Sequence, residues 1–215
     1  MKTTEIDIPI DAAQLKGNLN IPSAASALII FSHGSGSSRF SSRNRHVASF
    51  LNQHHFATLL TDLLTEEEDR VYENRFNIDL LTSRLLAVTE FARRLPDLVN
   101  LPAGYFGAST GAASALKAAA KAGALIGAVV SRGGRPDLAF DALSKVVSPT
   151  LLIVGELDTQ VIMLNDKAYE KLRCEKELRI VNGATHLFEE PGTLDDVATL
   201  ALGWFKQYLT PQAES

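Results

Sequence analysis

With 215 residues, 46% of them hydrophobic and 21% charged, the chain has the composition of an ordinary globular protein, which excludes disordered and fibrous classes. A formal net charge of -4 and a pI near 5.7 give no broad positive field, so neither nucleic acid nor an anionic membrane surface is an expected partner. No apolar run approaches the roughly 20 residues that span a bilayer, residues 1–10 hold no apolar signal core, and the expected location is cytoplasmic.

No repeat and no low-complexity linker divides the chain, so one domain over residues 1–215 is expected. Residues 5–10 and 14–21 alternate apolar with polar, which predicts two antiparallel strands with one wet face, joined by a turn near Asp11 into an edge hairpin. Residues 27–31 are the first wholly apolar run, and Ser32-His33-Gly34-Ser35-Gly36-Ser37-Ser38 follows it. Small side chains there let the main chain approach a ligand closely. The loop has neither the lysine of a phosphate-binding P-loop nor G-x-G-x-x-G spacing, so no nucleotide cofactor is expected.

A helix over 43–54 and a strand over 57–60 come next. The acidic run 66–69 is expected as a solvated loop before a helix over 75–95, and its carboxylates lack the ordered spacing of a calcium site. The strand 104–106 runs into Gly107-Ala108-Ser109-Thr110-Gly111, which opens an alanine-rich helix over 109–122. Beyond it, strand 126–130 leads to Ser131-Arg132-Gly133-Gly134-Arg135, then a helix over 138–145 and strand 150–154, which ends in Gly155-Glu156-Leu157-Asp158. A helix over 161–173, strand 178–181, the loop Asn182-Gly183-Ala184-Thr185-His186-Leu187-Phe188 and a helix over 194–208 complete the chain. The single cysteine, Cys174, falls at the end of a charge-rich helix and is expected to be exposed and incidental.

Continuous apolar runs suit parallel strands buried on both faces. Their alternation with helical patterns predicts an α/β fold: a doubly wound, mostly parallel sheet with an N-terminal antiparallel hairpin, helices on both faces and no large cap domain. Ligands bind such sheets outside the carboxyl ends of the strands, where the polar motifs fall.

Ser109 occupies the centre of G-x-S-x-G between a strand and a helix, the setting in which a serine sits on a strained turn and serves as nucleophile. Glycine two residues before and after removes side chains that would crowd that turn. A serine hydroxyl needs a base, and His186 emerges at the same sheet edge. The imidazole in turn needs a carboxylate on its other nitrogen, for which Asp158 is preferred over Glu156, which lies nearer the strand end. The N–H of Thr110, at a helix start, points to where an oxyanion would form, and the second oxyanion donor is expected to be the N–H of Ser35, with Gly34 as the alternative. Arg132 or Arg135 is a possible contact for a substrate carboxylate or phosphate, although either could instead pair with Asp137 or Asp141.

Taken together, His33-Gly34-Ser35-Gly36, Gly107-Ala108-Ser109-Thr110-Gly111, Gly155-Glu156-Leu157-Asp158 and Gly183-Ala184-Thr185-His186 resemble the α/β-hydrolase superfamily over nearly the whole chain. Size and the lack of a long cap insertion look like its dienelactone hydrolase-like group, although Ser109 stands where dienelactone hydrolases carry a cysteine. The resemblance implies hydrolysis of a small ester, lactone or thioester through an acyl-enzyme, without metal or organic cofactor. A peptidase, a perhydrolase, a carbon–carbon lyase and a noncatalytic binding protein are the alternatives on the same scaffold. The expected partner is a small acyl substrate, and oligomeric state is not legible.

Overall fold

Eight strands order themselves by the rule that the most apolar runs take the centre. In the computed structural model, which describes residues 2–10 and 13–210, they are β1 (Lys2–Ile10), β2 (Ala13–Ile21), β3 (Ala27–Ser32), β4 (Phe56–Thr61), β5 (Ala103–Ala108), β6 (Ile126–Arg132), β7 (Thr150–Gly155) and β8 (Lys176–Val181). They form one sheet in the order β1-β2-β4-β3-β5-β6-β7-β8. The pairs β1–β2 and β2–β4 are antiparallel and all others parallel; the alternation of the first two strands and the continuous apolar character of β3 to β7 fit this, whereas the edge strand β8 is half polar. The turn expected near Asp11 lies outside the described residues.

The helices are α1 (Ser42–Gln53), α2 (Glu66–Asp69), α3 (Ile78–Ala92), α4 (Thr110–Ala122), α5 (Thr159–Lys171) and α6 (Thr193–Leu209). Successive strand side chains point to opposite faces, and β3 shows the division: Leu28 and Ile30 join a core with α3 and α4, whereas Ala27, Ile29 and Phe31 join one with α1 and α6. Alanines 112, 113, 115, 118 and 119 are fully buried on α4, which brings that helix close to the sheet. Among the described residues no helix is long and apolar enough to cross a membrane.

Three expectations are corrected. The helix expected over 138–145 is two short 3₁₀ turns, Pro136–Ala139 and Leu143–Lys145. The N–H groups of Phe140, Ala142 and Lys145 each donate to the carbonyl three residues back, at Asp137, Ala139 and Ala142, which is the 3₁₀ pattern. The acidic run 66–69 is α2 itself rather than a loop. Thr65 Oγ1 accepts from the Glu68 N–H, the Glu68 carboxylate accepts from the Thr65 N–H, and Arg84 and Arg75 neutralise Glu68 and Asp69. Cys174 lies beyond the helix, half-buried against the α3–α4 core, with its thiol 3.7 Å from Thr150 Oγ1.

Candidate active site

The tight turn after β5 follows from what cannot fit there. A Cβ on Gly107 would lie 2.5 Å from Ala112 Cα, and one on Gly111 would lie 2.2 Å from Ser32 O and 2.4 Å from His33 O. Both positions therefore exclude any side chain, and α4 starts directly against the end of β3. Ser109 between them holds φ 52° and ψ −122°, a conformation that costs a non-glycine residue about 1–3 kcal/mol. The surroundings sustain it: the Ser109 N–H donates to Arg132 O at 3.1 Å, and Ser109 O accepts from the N–H groups of Ala112 and Arg135, each at 3.0 Å. Thr110 is the first residue of α4, so its N–H has no acceptor within the helix.

His186 arrives on the loop after β8. Its Nδ1 is 2.6 Å from Asp158 Oδ2, so Asp158, at the N-terminal cap position of α5, fixes the ring from the neighbouring strand. Glu156 does something else: its carboxylate accepts from the Gly183 N–H at 2.7 Å and ties down the base of the histidine loop. The far side of that loop is clamped by Glu190, which accepts from the Thr185 N–H at 3.1 Å and from Thr185 Oγ1 at 2.6 Å. Phe188, buried at φ 56°, plugs the loop into the α1–α6 core. A Cβ on Gly155 would stand 2.4 Å from Ala184 O, so this glycine is what lets the loop lie against the end of β7. Gly155 and Phe188 stand in the quoted motifs with no role assigned to them, and Glu190 is absent from the sequence reading. The Gly-Glu signature after β7 holds a signal for the first, and nothing local marks the other two.

Ser109 and His186 line one pocket of about 240 Å³, together with Gly34, Ser35, Ser37, Ser41, Arg43, Asn44 and Arg132. Asp158 occupies Nδ1 of the imidazole, and neither Nε2 nor Ser109 Oγ makes a hydrogen bond among the described residues. A Ser–His hydrogen bond is often long in the absence of substrate and tightens in the complex.

In the loop after β3, the Ser35 N–H, the expected second oxyanion donor, donates to Thr110 Oγ1 at 2.8 Å and so binds this loop to the start of α4. His33 holds the loop from behind: its Nδ1 is 2.9 Å from Gly34 O, and its Nε2 accepts from the Leu63 N–H at 3.2 Å. Loss of water around the ring lowers the His33 pKa, and the neutral imidazole is the form that matches one donor and one acceptor.

The two candidate arginines part company. Arg135 forms a two-pronged pair with Asp137, at 2.9 and 2.8 Å, and turns outward, while Asp141 pairs with Lys117. Arg132 lines the pocket, 6% exposed, with its Nη2 3.4 Å from Asn44 Oδ1. Burial and then the adjacent Arg43 charge pull its pKa down to about 10, so it stays protonated at neutral pH. Among the described residues no group of three or more His, Cys, Asp or Glu side chains could hold a metal ion.

A strand, a strained serine, a helix, and a carboxylate–imidazole pair at the carboxyl edge of a mostly parallel sheet define the α/β-hydrolase architecture. No protein-family model matches the chain. Among solved structures it is similar to a dienelactone hydrolase from Anabaena variabilis ATCC 29413, with 51% identity, 97% of this chain and 98% of that one covered, and a TM-score of 0.94. Est1E from Butyrivibrio proteoclasticus shares the fold at 18% identity and a TM-score of 0.79, over 94% of this chain and 98% of its own. The chain is also 52% identical over 209 residues to two proteins of Mycobacterium tuberculosis, from strains CDC 1551 / Oshkosh and H37Rv, that carry the provisional name phosphoribosyl transferase. That match takes in 97% of this chain and 47% of each relative, so the chain spans about half the length of these curated relatives. The chain belongs to the dienelactone hydrolase-like group of the α/β-hydrolase superfamily.

Proposed function

We propose that the protein is a serine hydrolase that cleaves a small ester, lactone or thioester through an acyl-enzyme. The observation that carries this reading is the 2.6 Å contact between His186 Nδ1 and Asp158 Oδ2, on a loop that opens into the same pocket as Ser109. With Asp158 on Nδ1, the imidazole presents a basic Nε2 toward that pocket. His186 takes the proton of Ser109 as Oγ attacks the carbonyl carbon, then gives it to the leaving oxygen or sulfur. A water molecule, activated by the same imidazole, releases the acyl group and restores Ser109.

The negative charge that develops on the carbonyl oxygen meets the Thr110 N–H, reinforced by the N-terminus of α4. The second donor comes from the loop after β3. The oxyanion shares the Ser35 N–H with Thr110 Oγ1, or takes the N–H of Gly34. Strain at Ser109 supports the same reading, because a serine that only capped a helix would have no cause to adopt a positive φ. The transferase name of the two mycobacterial relatives belongs to chains about twice as long, and the site described above favours hydrolysis.

Ser109→Ala tests the assignment. Hydrolysis of a short p-nitrophenyl ester is expected to fall by about 10⁴-fold or more while the melting temperature is retained. A fluorophosphonate probe is expected to label the parent protein at Ser109. A variant as fast as the parent, or a parent that the probe leaves unlabelled, overturns the reading.

A further inference from the structure

Ala128, Val130 and Arg132 share one face of β6, the face turned to α1 and α6, so the Arg132 side chain enters a packed layer instead of solvent. A guanidinium carries five N–H donors. Here one of them reaches Asn44 Oδ1, at a long 3.4 Å, and Nε is buried with no partner. The Phe188 ring, 5.8 Å from the guanidinium carbon, offers a weak electrostatic complement. No ion pair among the described residues gives Arg132 a carboxylate. A second cation, Arg43, lines the same pocket and acts on Arg132; its Nη1 pairs with the exposed Glu189 at 2.9 Å and its Nε is likewise buried without a partner.

Two cations side by side, one of them buried, are unfavourable unless an anion joins them. Both line the pocket that holds Ser109 and His186, and so do Ser41 and Asn44 at the N-terminus of α1, where the partial positive charge of the helix adds to theirs. The pocket, at about 240 Å³, has room for one anionic group and a few carbon atoms. We infer that this pocket is an anion subsite, in which Arg132, supported by Arg43 and the start of α1, binds a carboxylate or phosphate group on the substrate while Ser109 attacks its acyl carbon. The inference rests on the serine hydrolase reading for the second half of that sentence; the anion site itself rests on the two arginines. Arg135, committed to Asp137, plays no part.

Ethyl butyrate and monoethyl succinate differ by a terminal carboxylate on an acyl group of equal carbon count. The parent protein is expected to favour monoethyl succinate in kcat/KM by about tenfold or more, and that ratio is expected to fall toward one in Arg132→Met and to lie between in Arg132→Lys. Succinate and inorganic phosphate are tested as competitive inhibitors of ethyl butyrate hydrolysis, and the stronger of the two identifies the anion. If Arg132→Met does not fold, Arg43→Gln, at a partly exposed position, is expected to lower the same ratio. Calorimetric titration of Ser109→Ala with each anion separates the two readings. Binding that Arg132→Met abolishes supports the subsite even if no ester is turned over. A ratio near one in the parent, or a ratio and anion binding that neither arginine variant moves, overturns the subsite and leaves the hydrolase reading standing.

Discussion

The outer hairpin and the carboxyl edge of the central strands belong to one sheet, yet they treat their polar groups in opposite ways. Across β1 and β2, Lys16 pairs with Asp7 and Thr3 Oγ1 donates to Asn20 Oδ1 at 2.8 Å, and water reaches all four. Each group has a partner or solvent, and no backbone is forced. At the carboxyl edge, Ser109 and Phe188 hold positive φ, Gly111 has no space for a methyl group, and Arg132 is buried without a counter-ion. Two of the four non-glycine positive-φ residues among the described residues, and a buried arginine with no carboxylate, thus stand where a ligand would bind, while the regular hairpin carries neither feature.

The largest effect expected from disturbing that contrast is on rate. Asp158→Asn should keep the fold and lower kcat for ester hydrolysis by about 10⁴-fold, because an amide no longer stabilises the charged imidazole. Activity within tenfold of the parent would mean that the Asp158–His186 contact is merely structural. Next comes Gly111→Ala, which forces a methyl group onto two carbonyl oxygens and should destabilise the protein by about 3 kcal/mol, read as a fall of roughly 6–12 °C in melting temperature. An unchanged melting curve would show that the edge is slack. Smallest is Lys16→Gln in the hairpin, where an exposed pair is lost to water. Neither melting temperature nor ester hydrolysis should move measurably, and a loss as large as that of Gly111→Ala would erase the distinction.

Much of this edge was legible because its constraints are local. G-x-S-x-G between a strand and a helix placed Ser109, and the apolar run before Asp158 and the strand before His186 brought the carboxylate and imidazole to neighbouring strand ends, where they now touch. What escaped depends on register or on distant packing. Arg132 and Arg135 could not be separated while strand 126–130 was expected to end two residues early. Its continuation through Arg132 gives that side chain the parity of Val130 and buries it. Segment 138–145 reads as a helix by composition, yet its backbone hydrogen bonds reach three residues back instead of four. The small-residue loop marks Ser35 as a donor candidate but does not show the reach of Thr110 Oγ1 to its N–H, a contact between residues 75 apart in sequence.

The alanine-lined contact of α4 with the sheet has a bearing on how the pocket could adapt. Alanine has no rotamers to lose or to exchange, so the support beneath Ser109 is fixed with no side-chain entropy cost and has no flexible atoms that could yield. Room for a bulkier substrate would have to come from the opposite wall, where Ser37, Ser41 and Arg43 are only partly buried. Selection for larger acyl groups in the laboratory should therefore accumulate changes along that wall and leave the alanine helix untouched.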